Sequence, residues 1–221
     1  MPLILAHRGA SGHQHENSLA AFREAIRLGA DGVELDVHAT VDGALLVHHD
    51  PELPGLGPIA GLTLQAAASA RLPNGEATPT LQQALAALPR MTVWIELKSL
   101  PQSADRALLA AIDGSPTPDR CAVHGFDHRI IARLGSQRPD LTRGVLSASY
   151  PIDPVGPMLA AGANTLWQAW HLIDSELVAA VHRTGGRLIA WTVNDSVVAQ
   201  RLAALGVDGL CGNYPERLRT G

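Results

Sequence analysis

Short apolar runs alternate along this chain with longer segments whose apolar residues recur every three or four positions. The run at residues 3–6 is followed by such a segment, in which Leu19, Phe22 and Ile26 form one stripe. Runs of the first kind are typical of buried strands, and segments of the second kind are typical of amphipathic helices. The pattern predicts strands at residues 3–6, 33–37, 91–97, 121–125, 143–146, 164–168, 187–192 and 208–211. It predicts helices at residues 18–28, 62–72, 81–88, 104–112, 127–134, 155–161, 175–184 and 196–205.

One further apolar run, at residues 44–47, does not fit this alternation. Only the short stretch at residues 38–43 separates it from the second strand, and that stretch includes Asp42 and Gly43. Such a gap cannot hold the crossover helix that parallel pairing requires, and Asp-Gly is a strong hairpin signal. The run is therefore predicted to fold back antiparallel to the second strand, which returns His49 to the end of that strand.

The pattern thus predicts eight strands that alternate with helices, and eight such strands close a (β/α)8 barrel. An open doubly wound sheet is the competing architecture, and it usually carries a glycine-rich turn after its first strand. Here residues 8–12 lack the spacing of the dinucleotide fingerprint. We expect an α/β fold, a (β/α)8 barrel with a short antiparallel hairpin arm after strand two. Residues 1–221 are expected to form a single domain with a small irregular insertion at about 51–79.

Composition narrows the class of protein. A length of 221 residues and a hydrophobic content of 46% suit one barrel with a sizeable core, and a net charge of −4 argues against nucleic-acid binding. Cys121 and Cys211 lie in apolar runs without a CxxC motif, which is typical of free thiols in a reducing compartment. No apolar stretch reaches membrane-spanning length. We expect a soluble cytoplasmic protein without a stable membrane anchor, as a monomer or homodimer.

Acidic residues stand where two of the predicted strands end. Glu34 and Asp36 are two positions apart and so share one face of strand two, while Glu96 ends the next barrel strand. Three converging carboxylates repel one another unless a cation lies among them, and all-oxygen ligation favours Mg²⁺, Ca²⁺ or Mn²⁺ over zinc. The alternative is a buried salt-bridge network in which these acids pair with Arg8 and Lys98.

His7 and His49 also follow apolar strands and stand beside charged residues. Imidazole titrates near neutrality, so one ring can accept a proton while the other donates one. Because the chain has ten histidines, a structural role is the alternative for each. Arg8 and Lys98 supply fixed positive charge, which suits a phosphate group.

Several further residues have two possible roles each. Asn17 stands at the start of helix one, where it can contact a phosphate or cap the helix. Trp191 ends strand seven and can form a pocket wall or part of the core. The same alternatives apply to Trp167 and Trp170, and the positions of His124 and His171 near strand ends allow them to line a pocket.

An ordered set of short motifs runs through the chain. It comprises His7-Arg8-Gly9, Glu16-Asn17-Ser18, Glu34-Leu35-Asp36 with Asp42-Gly43, His49-Asp50, Glu96-Leu97-Lys98, Trp191-Thr192-Val193-Asn194 and Gly206-Val207-Asp208-Gly209. Each motif alone is weak, but the ordered set resembles the glycerophosphodiester phosphodiesterases over nearly the whole chain. The resemblance implies a TIM barrel of the phospholipase C-like type that hydrolyses small-molecule glycerophosphodiesters to glycerol 3-phosphate and an alcohol.

The resemblance also implies roles for individual residues. It implies acid–base catalysis by His7 and His49, ligation of one divalent cation, usually Ca²⁺ or Mg²⁺, by Glu34, Asp36 and Glu96, phosphate contacts by Arg8 and Lys98, and a pocket wall at Trp191. The chain departs from the family pattern at His15, Gly125 and Gly212 and in the loop after Asp50. These departures leave the alcohol specificity open. Two rival functions remain, namely a lysophospholipase D-like phosphodiesterase on the same scaffold and a non-catalytic glycerophosphate-binding barrel.

Overall fold

The first strand of the protein hydrogen-bonds to parallel neighbours on both of its edges, so the sheet closes on itself. A computed structural model describes residues 1–219. The strands are β1 (Leu3–His7), β2 (Gly32–Ala39), β3 (Leu45–Val47), β4 (Glu52–Leu53), β5 (Gly57–Pro58), β6 (Thr92–Ser99), β7 (Cys121–Gly125), β8 (Thr142–Ser147), β9 (Thr165–Ala169), β10 (Arg187–Trp191) and β11 (Gly209–Gly212). Around the barrel the order is β1-β11-β10-β9-β8-β7-β6-β2 and back to β1. The predicted (β/α)8 barrel is confirmed.

Helices follow the barrel strands on the outside. They are α1 (Leu19–Arg27), α2 (Leu64–Ala67), α3 (Leu81–Ala87), α4 (Asp105–Asp113), α5 (His128–Gln137), α6 (Gly156–Ala160), α7 (Ser175–Arg183) and α8 (Ser196–Leu205). Their bounds match the predictions closely except for α2, which is one turn long where residues 62–72 were predicted to be helical. Within residues 1–219, no helix combines the length and apolar character needed to cross a membrane.

The predicted antiparallel arm is present as β3. It pairs with the outer half of β2, with Val47 opposite Val37 and Leu45 opposite Ala39. The parallel ladder between β2 and β6 shifts register between Val37 and His38, where β2 leaves the barrel. The arm carries the chain back toward the barrel rim, so that His49 lies near the end of the parallel part of β2.

Residues 51–79 contain structure that the sequence pattern did not predict. The two-residue strands β4 and β5 form a hairpin, and a 3₁₀ turn spans Ile59–Gly61. Strands this short show no periodicity, which is why they were missed. The segment has a small apolar cluster of its own that also includes Leu46 of the arm; its buried members are Leu46, Leu53, Ile59, Ala67 and Ala70.

A layer of apolar side chains fills the inside of the barrel below its C-terminal rim. Seven different strands contribute to it, through Leu5, Trp94, Ala122, Leu146, Trp167, Ile189 and Cys211. Small residues make room for the two indoles, and a Cβ at Gly144 would lie 3.0 Å from atoms of both Trp94 and Trp167. This packed layer is the floor beneath the polar side chains at the strand ends.

Candidate active site

Three carboxylates meet above this floor at the C-terminal ends of β2 and β6. Asp36 and Glu96 are register partners on adjacent strands, and Glu34 lies two residues before Asp36 on the same face. One oxygen from each of Glu34, Asp36 and Glu96 lies within 4.8 Å of the other two, and all three side chains are buried. The predicted convergence of these three acids is therefore present in the structure.

Of the three carboxylates, Glu34 has the fewest positively charged neighbours. The backbone N–H of Arg8 donates to its Oε2 at 3.1 Å, while Nε2 of His7 lies 4.0 Å from Oε2 and Nε2 of His124 lies 3.8 Å from Oε1. Among residues 1–219, no lysine or arginine nitrogen lies within ion-pair distance of Glu34. Burial, followed by the charges of Asp36 and Glu96, raises the pKa of Glu34 well above its usual value.

Asp36 has two cationic partners instead. Nε of Arg8 lies 3.2 Å from Oδ2 and Nζ of Lys98 lies 3.0 Å from Oδ1. Burial alone would raise the pKa of Asp36, but Lys98 and Arg8 outweigh it and leave that pKa below its usual value. Lys98 also lies 2.7 Å from Oε1 of Glu96, yet burial and the charge of Asp36 still raise the pKa of Glu96 to about 7.

The donor set and its charge fit a divalent cation. The salt-bridge network expected as the alternative is present, but Arg8 and Lys98 supply two positive charges against three carboxylates. Arg8 is also shared with Glu16, to which its Nη1 donates at 2.9 Å. Apart from the contacts with Lys98, the buried oxygens Oδ1 of Asp36 and Oε1 of Glu96 accept no hydrogen bond from the residues between 1 and 219. Oxygen donors in such a cluster suit a hard cation such as Mg²⁺, Ca²⁺ or Mn²⁺.

His7, at the end of β1, is held by a residue from the other end of the chain. Its Nδ1 lies 2.7 Å from Oδ1 of Asn213, and the backbone N–H of Asn213 donates to Oδ1 of Asn194 at 2.8 Å. Because an amide oxygen can only accept, the contact requires the proton on Nδ1 and leaves Nε2 with its lone pair. Burial, followed by the charge of Arg8, lowers the pKa of His7 to about 4.

His49 follows the β3 arm and is more exposed than His7. Its Nδ1 donates to Oδ1 of Asp50 at 2.8 Å, and its carbonyl accepts a hydrogen bond from Nε2 of His38 at 3.0 Å. His38 is buried at the point where β2 leaves the barrel, so it ties the arm to the barrel rim. These contacts hold the second imidazole, which lines the same cavity as the carboxylates of Glu34 and Glu96.

The side chains surround a cavity of about 120 Å³. Its lining comprises His7, Arg8, Glu34, His49, Glu96, Lys98, His124, Phe126, Leu146, Trp167, Trp191 and Thr192. Of the candidate site residues, Asp36 and Asn17 lie behind the lining, Trp170 and His171 lie outside the cavity, and the others line it. Trp191 is at the wall, as the resemblance implies, and Nε1 of its indole has no hydrogen-bond partner within residues 1–219.

Asn17 is directed at Asp36. Its Nδ2 donates to Oδ2 of Asp36 at 2.8 Å, and its Oδ1 accepts from the backbone N–H of Asp36 at 3.3 Å. Its backbone has a φ of 54°, a left-handed conformation that asparagine tolerates. Ser18 provides the cap of α1 by accepting from the N–H of Ala21. The phosphate contact expected of Asn17 stays a prediction.

Four residues of the site were missed or left open at the sequence level. His124 and Trp167 line the cavity, and neither nitrogen of the His124 ring has a hydrogen-bond partner within residues 1–219. Phe126 follows β7 and has no special sequence signal. Asn213 follows Gly212, one of the departures from the family pattern, and no local sequence signal marks it as a partner of His7. His171 and Trp170 lie outside the cavity in a 3₁₀ turn, and Trp170 contacts the guanidinium of Arg201 instead.

The sequence of this chain is similar to that of known proteins. A model of the glycerophosphoryl diester phosphodiesterase family matches residues 7–217. The chain belongs to this family. A glycerophosphodiester phosphodiesterase from Caldanaerobacter subterraneus is 32% identical over 232 residues, which cover 98% of this chain and 96% of the relative. The enzyme class expected from the sequence motifs is thereby confirmed at the level of the family.

Solved structures of similar proteins share the fold. A phosphodiesterase from Oleispira antarctica, in complex with its product sn-glycerol-3-phosphate, has a TM-score of 0.91 at 23% identity and covers 99% of this chain and 95% of its own. A glycerophosphodiester phosphodiesterase from Parabacteroides distasonis has a TM-score of 0.88 at 25% identity, with 98% and 94% covered. The barrel is thus the fold of other glycerophosphodiester phosphodiesterases.

Proposed function

We propose that this family member hydrolyses glycerophosphodiesters to sn-glycerol 3-phosphate and an alcohol, with one divalent cation and two histidines. The observation that carries the proposal is the meeting of Glu34, Asp36 and Glu96 with His7 and His49 around one cavity. The product-bound structure of the Oleispira antarctica protein supports a substrate that contains glycerol phosphate.

The carboxylates of Glu34, Asp36 and Glu96 would hold the cation, which we propose to be Mg²⁺ or Ca²⁺, with Mn²⁺ as a third candidate. When bound, the cation supplies a Lewis acid and a template for the phosphate. Asp36 is held from behind by Asn17, so its carboxylate is oriented before any ligand arrives. Such support raises the affinity and selectivity of a metal site.

Arg8 and Lys98 stabilise the negative charge of the phosphate. Both side chains line the cavity and are only partly exposed, so their charges act in a medium that water screens weakly. Their pairing with Asp36 holds them in place, which avoids the cost of orienting flexible side chains during the reaction. The Trp191 indole forms part of the cavity wall.

His7 acts as the general base in this proposal. Its Nε2 lone pair is available because Asn213 retains the proton on Nδ1. The ring accepts the proton of the attacking hydroxyl, which the family resemblance identifies as the 2-hydroxyl of the substrate. As the new bond to phosphorus forms, the bond between phosphorus and the alcohol oxygen breaks, which gives a cyclic glycerol phosphate. Water then opens this ring to give glycerol 3-phosphate, and the proton that His7 took returns to the 2-oxygen while His49 accepts one from the water.

His49 acts as the general acid. It donates a proton from Nε2 to the departing alcohol oxygen while Asp50 stays bonded to its Nδ1–H. A carboxylate in this position stabilises the cationic ring and fixes its orientation, as in other acid–base pairs. The two histidines have separate roles in this proposal because their hydrogen-bond partners differ. His7 contacts an amide oxygen, and His49 contacts a carboxylate.

A coupled assay for glycerol 3-phosphate tests the proposal. Chelator-treated protein is supplied with Mg²⁺, Ca²⁺ or Mn²⁺ and with glycerophosphocholine, glycerophosphoethanolamine or glycerophosphoglycerol. We expect turnover with at least one cation and loss of turnover on renewed chelation. Tight binding of a diester without release of product, with every cation, would favour the non-catalytic barrel instead.

We further propose that the chain works as one catalytic domain in the cytoplasm. A single domain is supported by the 51–79 insertion, which packs its small apolar cluster against Leu46 of the β3 arm. The cytoplasmic location is supported by Cys121 and Cys211, which are both free and buried. If limited proteolysis removed the insertion and the remaining protein kept its activity, the insertion would not be part of the catalytic domain.

A further inference from the structure

His124 is a buried side chain of the catalytic cavity to which the proposed reaction gives no role. It lies on β7 as the register partner of Glu96, two residues after Ala122 of the apolar floor. Alternation along the strand therefore directs its ring into the barrel, one layer above the floor, where it lines the cavity. Its side chain is only 1% exposed, against 35% for His49, so it marks the deep end of the cavity.

Neither nitrogen of the His124 ring has a hydrogen-bond partner within residues 1–219. Nε2 lies 3.8 Å from Oε1 of Glu34, which is longer than a hydrogen bond. Unpaired nitrogens of a buried ring cost free energy, because bulk water no longer solvates them. Unpaired polar atoms in the wall of a binding cavity therefore indicate a partner that arrives with the ligand.

Two indoles hold the His124 ring in place. Its centroid lies 4.2 Å from that of Trp167, and the ring packs edge-on against Trp94 with 5.5 Å between centroids. Such contacts fix the plane of the ring, so its nitrogens are oriented before a ligand binds. Trp167 adds a donor to the same region, because its Nε1 is also buried and unpaired in the described part of the chain.

His124 lies outside the proposed cation site. The ligand atoms that lie within 4.8 Å of one another come from Glu34, Asp36 and Glu96, and among residues 1–219 this set does not extend to His124. Hard cations such as Mg²⁺ and Ca²⁺ also prefer oxygen ligands to imidazole. The partner of the ring is therefore sought in the organic part of the substrate.

The two catalytic histidines give the substrate a direction in the cavity. The leaving alcohol departs at His49, which is the more exposed of the two, so this alcohol lies at the mouth. The glycerol carries the 2-hydroxyl that His7 deprotonates, and its free end extends away from the mouth. The terminal hydroxyl is thus the polar group of the substrate that reaches deepest. A hydroxyl both donates and accepts, so it can pair with either nitrogen of His124.

We propose that His124 binds the terminal hydroxyl of the glycerol and makes the enzyme specific for glycerol over a diol that lacks this group, an inference that rests on the function proposed above. A site that hydrogen-bonds a hydroxyl rejects the analogue without it, because buried polar atoms of the protein are then left unpaired. His124 determines specificity and takes no part in proton transfer.

A pair of diesters that differ only in this hydroxyl tests the inference. One is the glycerophosphodiester that the wild-type protein hydrolyses fastest. The other is its propane-1,2-diol analogue of the same configuration, which keeps the 2-hydroxyl, the phosphate and the leaving alcohol. Both compete for the enzyme in one tube, and ³¹P NMR follows each of them, so their rates give the ratio of kcat/KM directly. We expect wild type to favour the glycerol diester by at least about tenfold.

Substitutions assign the preference to His124. His124→Phe keeps an aromatic ring against the two indoles but has no nitrogen, so it should bring the ratio toward one by slowing mainly the glycerol diester. His124→Leu is smaller and provides the same test if the phenylalanine variant does not fold. His171→Phe, at an exposed position outside the cavity, is the matched control and should keep the wild-type ratio. Thermal melting checks that each variant is folded.

The outcomes separate this inference from the proposed function. A wild-type ratio near one overturns the role of His124 but leaves the proposed function standing. A preference that the folded His124 variant retains also overturns it, whether that variant is as fast as wild type or slows both diesters equally. No hydrolysis of any diester with any of the three cations would overturn the proposed function and the role of His124 with it.

Discussion

Oδ1 of Asn213 lies 2.7 Å from Nδ1 of His7, although 206 residues separate the two in the chain. Closure of the barrel brings them together, because β1 and β11 are neighbours and Ala6 pairs with Gly212. The amide is held in turn by the contact between the backbone N–H of Asn213 and Asn194. The last strand of the barrel thus sets the proton position on the first histidine.

Replacement of Asn213 by leucine should lower kcat by about 10–100-fold and change KM less, because His7 loses the acceptor that selects its tautomer. Asn213→Asp keeps an acceptor at this position and should retain most of the activity. The ¹⁵N chemical shifts of the His7 ring report the tautomer directly. An Asn213→Leu variant with wild-type kcat and an unchanged tautomer would remove the role assigned to Asn213.

The two histidines of the cavity should each be needed for turnover. We expect His7→Gln and His49→Gln to lower kcat by about 10²–10⁴-fold, the usual contribution of a general acid or base. His171→Gln is the matched control, since His171 is exposed and lies outside the cavity. If either cavity variant kept kcat within about tenfold of wild type, that histidine would not be an acid–base catalyst.

Asn17 offers a choice between holding a metal ligand and contacting phosphate. Asn17→Gly removes the amide but tolerates the positive φ, and Ser18 still caps α1. Because Asn17 supports Asp36, we expect about tenfold weaker cation binding and near-normal KM for the diester at saturating cation. Unchanged cation affinity together with a raised KM would instead assign Asn17 to the phosphate, as the sequence first suggested.

The floor of the site depends on the small residue at position 144. Gly144→Val should lower the free energy of unfolding by about 1–3 kcal/mol, because the added methyl groups collide with Trp94 and Trp167. Gly61→Val is the control, since a Cβ there has no neighbour within 4 Å. Denaturant unfolding measures both. Equal stability of the two variants would show that the barrel interior adapts freely to extra volume.

The barrel and the carboxylates were predictable because both depend on local patterns. Strand and helix periodicities are read within a few residues, and alternation along β2 already places Glu34 and Asp36 on one face. The Asp42-Gly43 turn predicted the antiparallel arm, and β3 confirms it. In each case the physical cause lies within a short window of sequence.

Contacts between distant segments were not predictable in this way. The Asn213 amide reaches His7 only after closure of the barrel, and no periodicity reports that. Likewise, the double contact of Asn17 with Asp36 joins the β1–α1 loop to β2 across 19 residues.

Calorimetric titration of chelator-treated protein with Mg²⁺, Ca²⁺ and Mn²⁺ tests the central claim most directly, because it needs no substrate. We expect one cation per chain for at least one of the three, and at least tenfold weaker binding in Glu34→Gln, Asp36→Asn and Glu96→Gln. Glu176→Gln, an exposed acid at the start of α7, should bind like wild type. Binding that these three substitutions leave unchanged, or no binding at all, would contradict the carboxylate site.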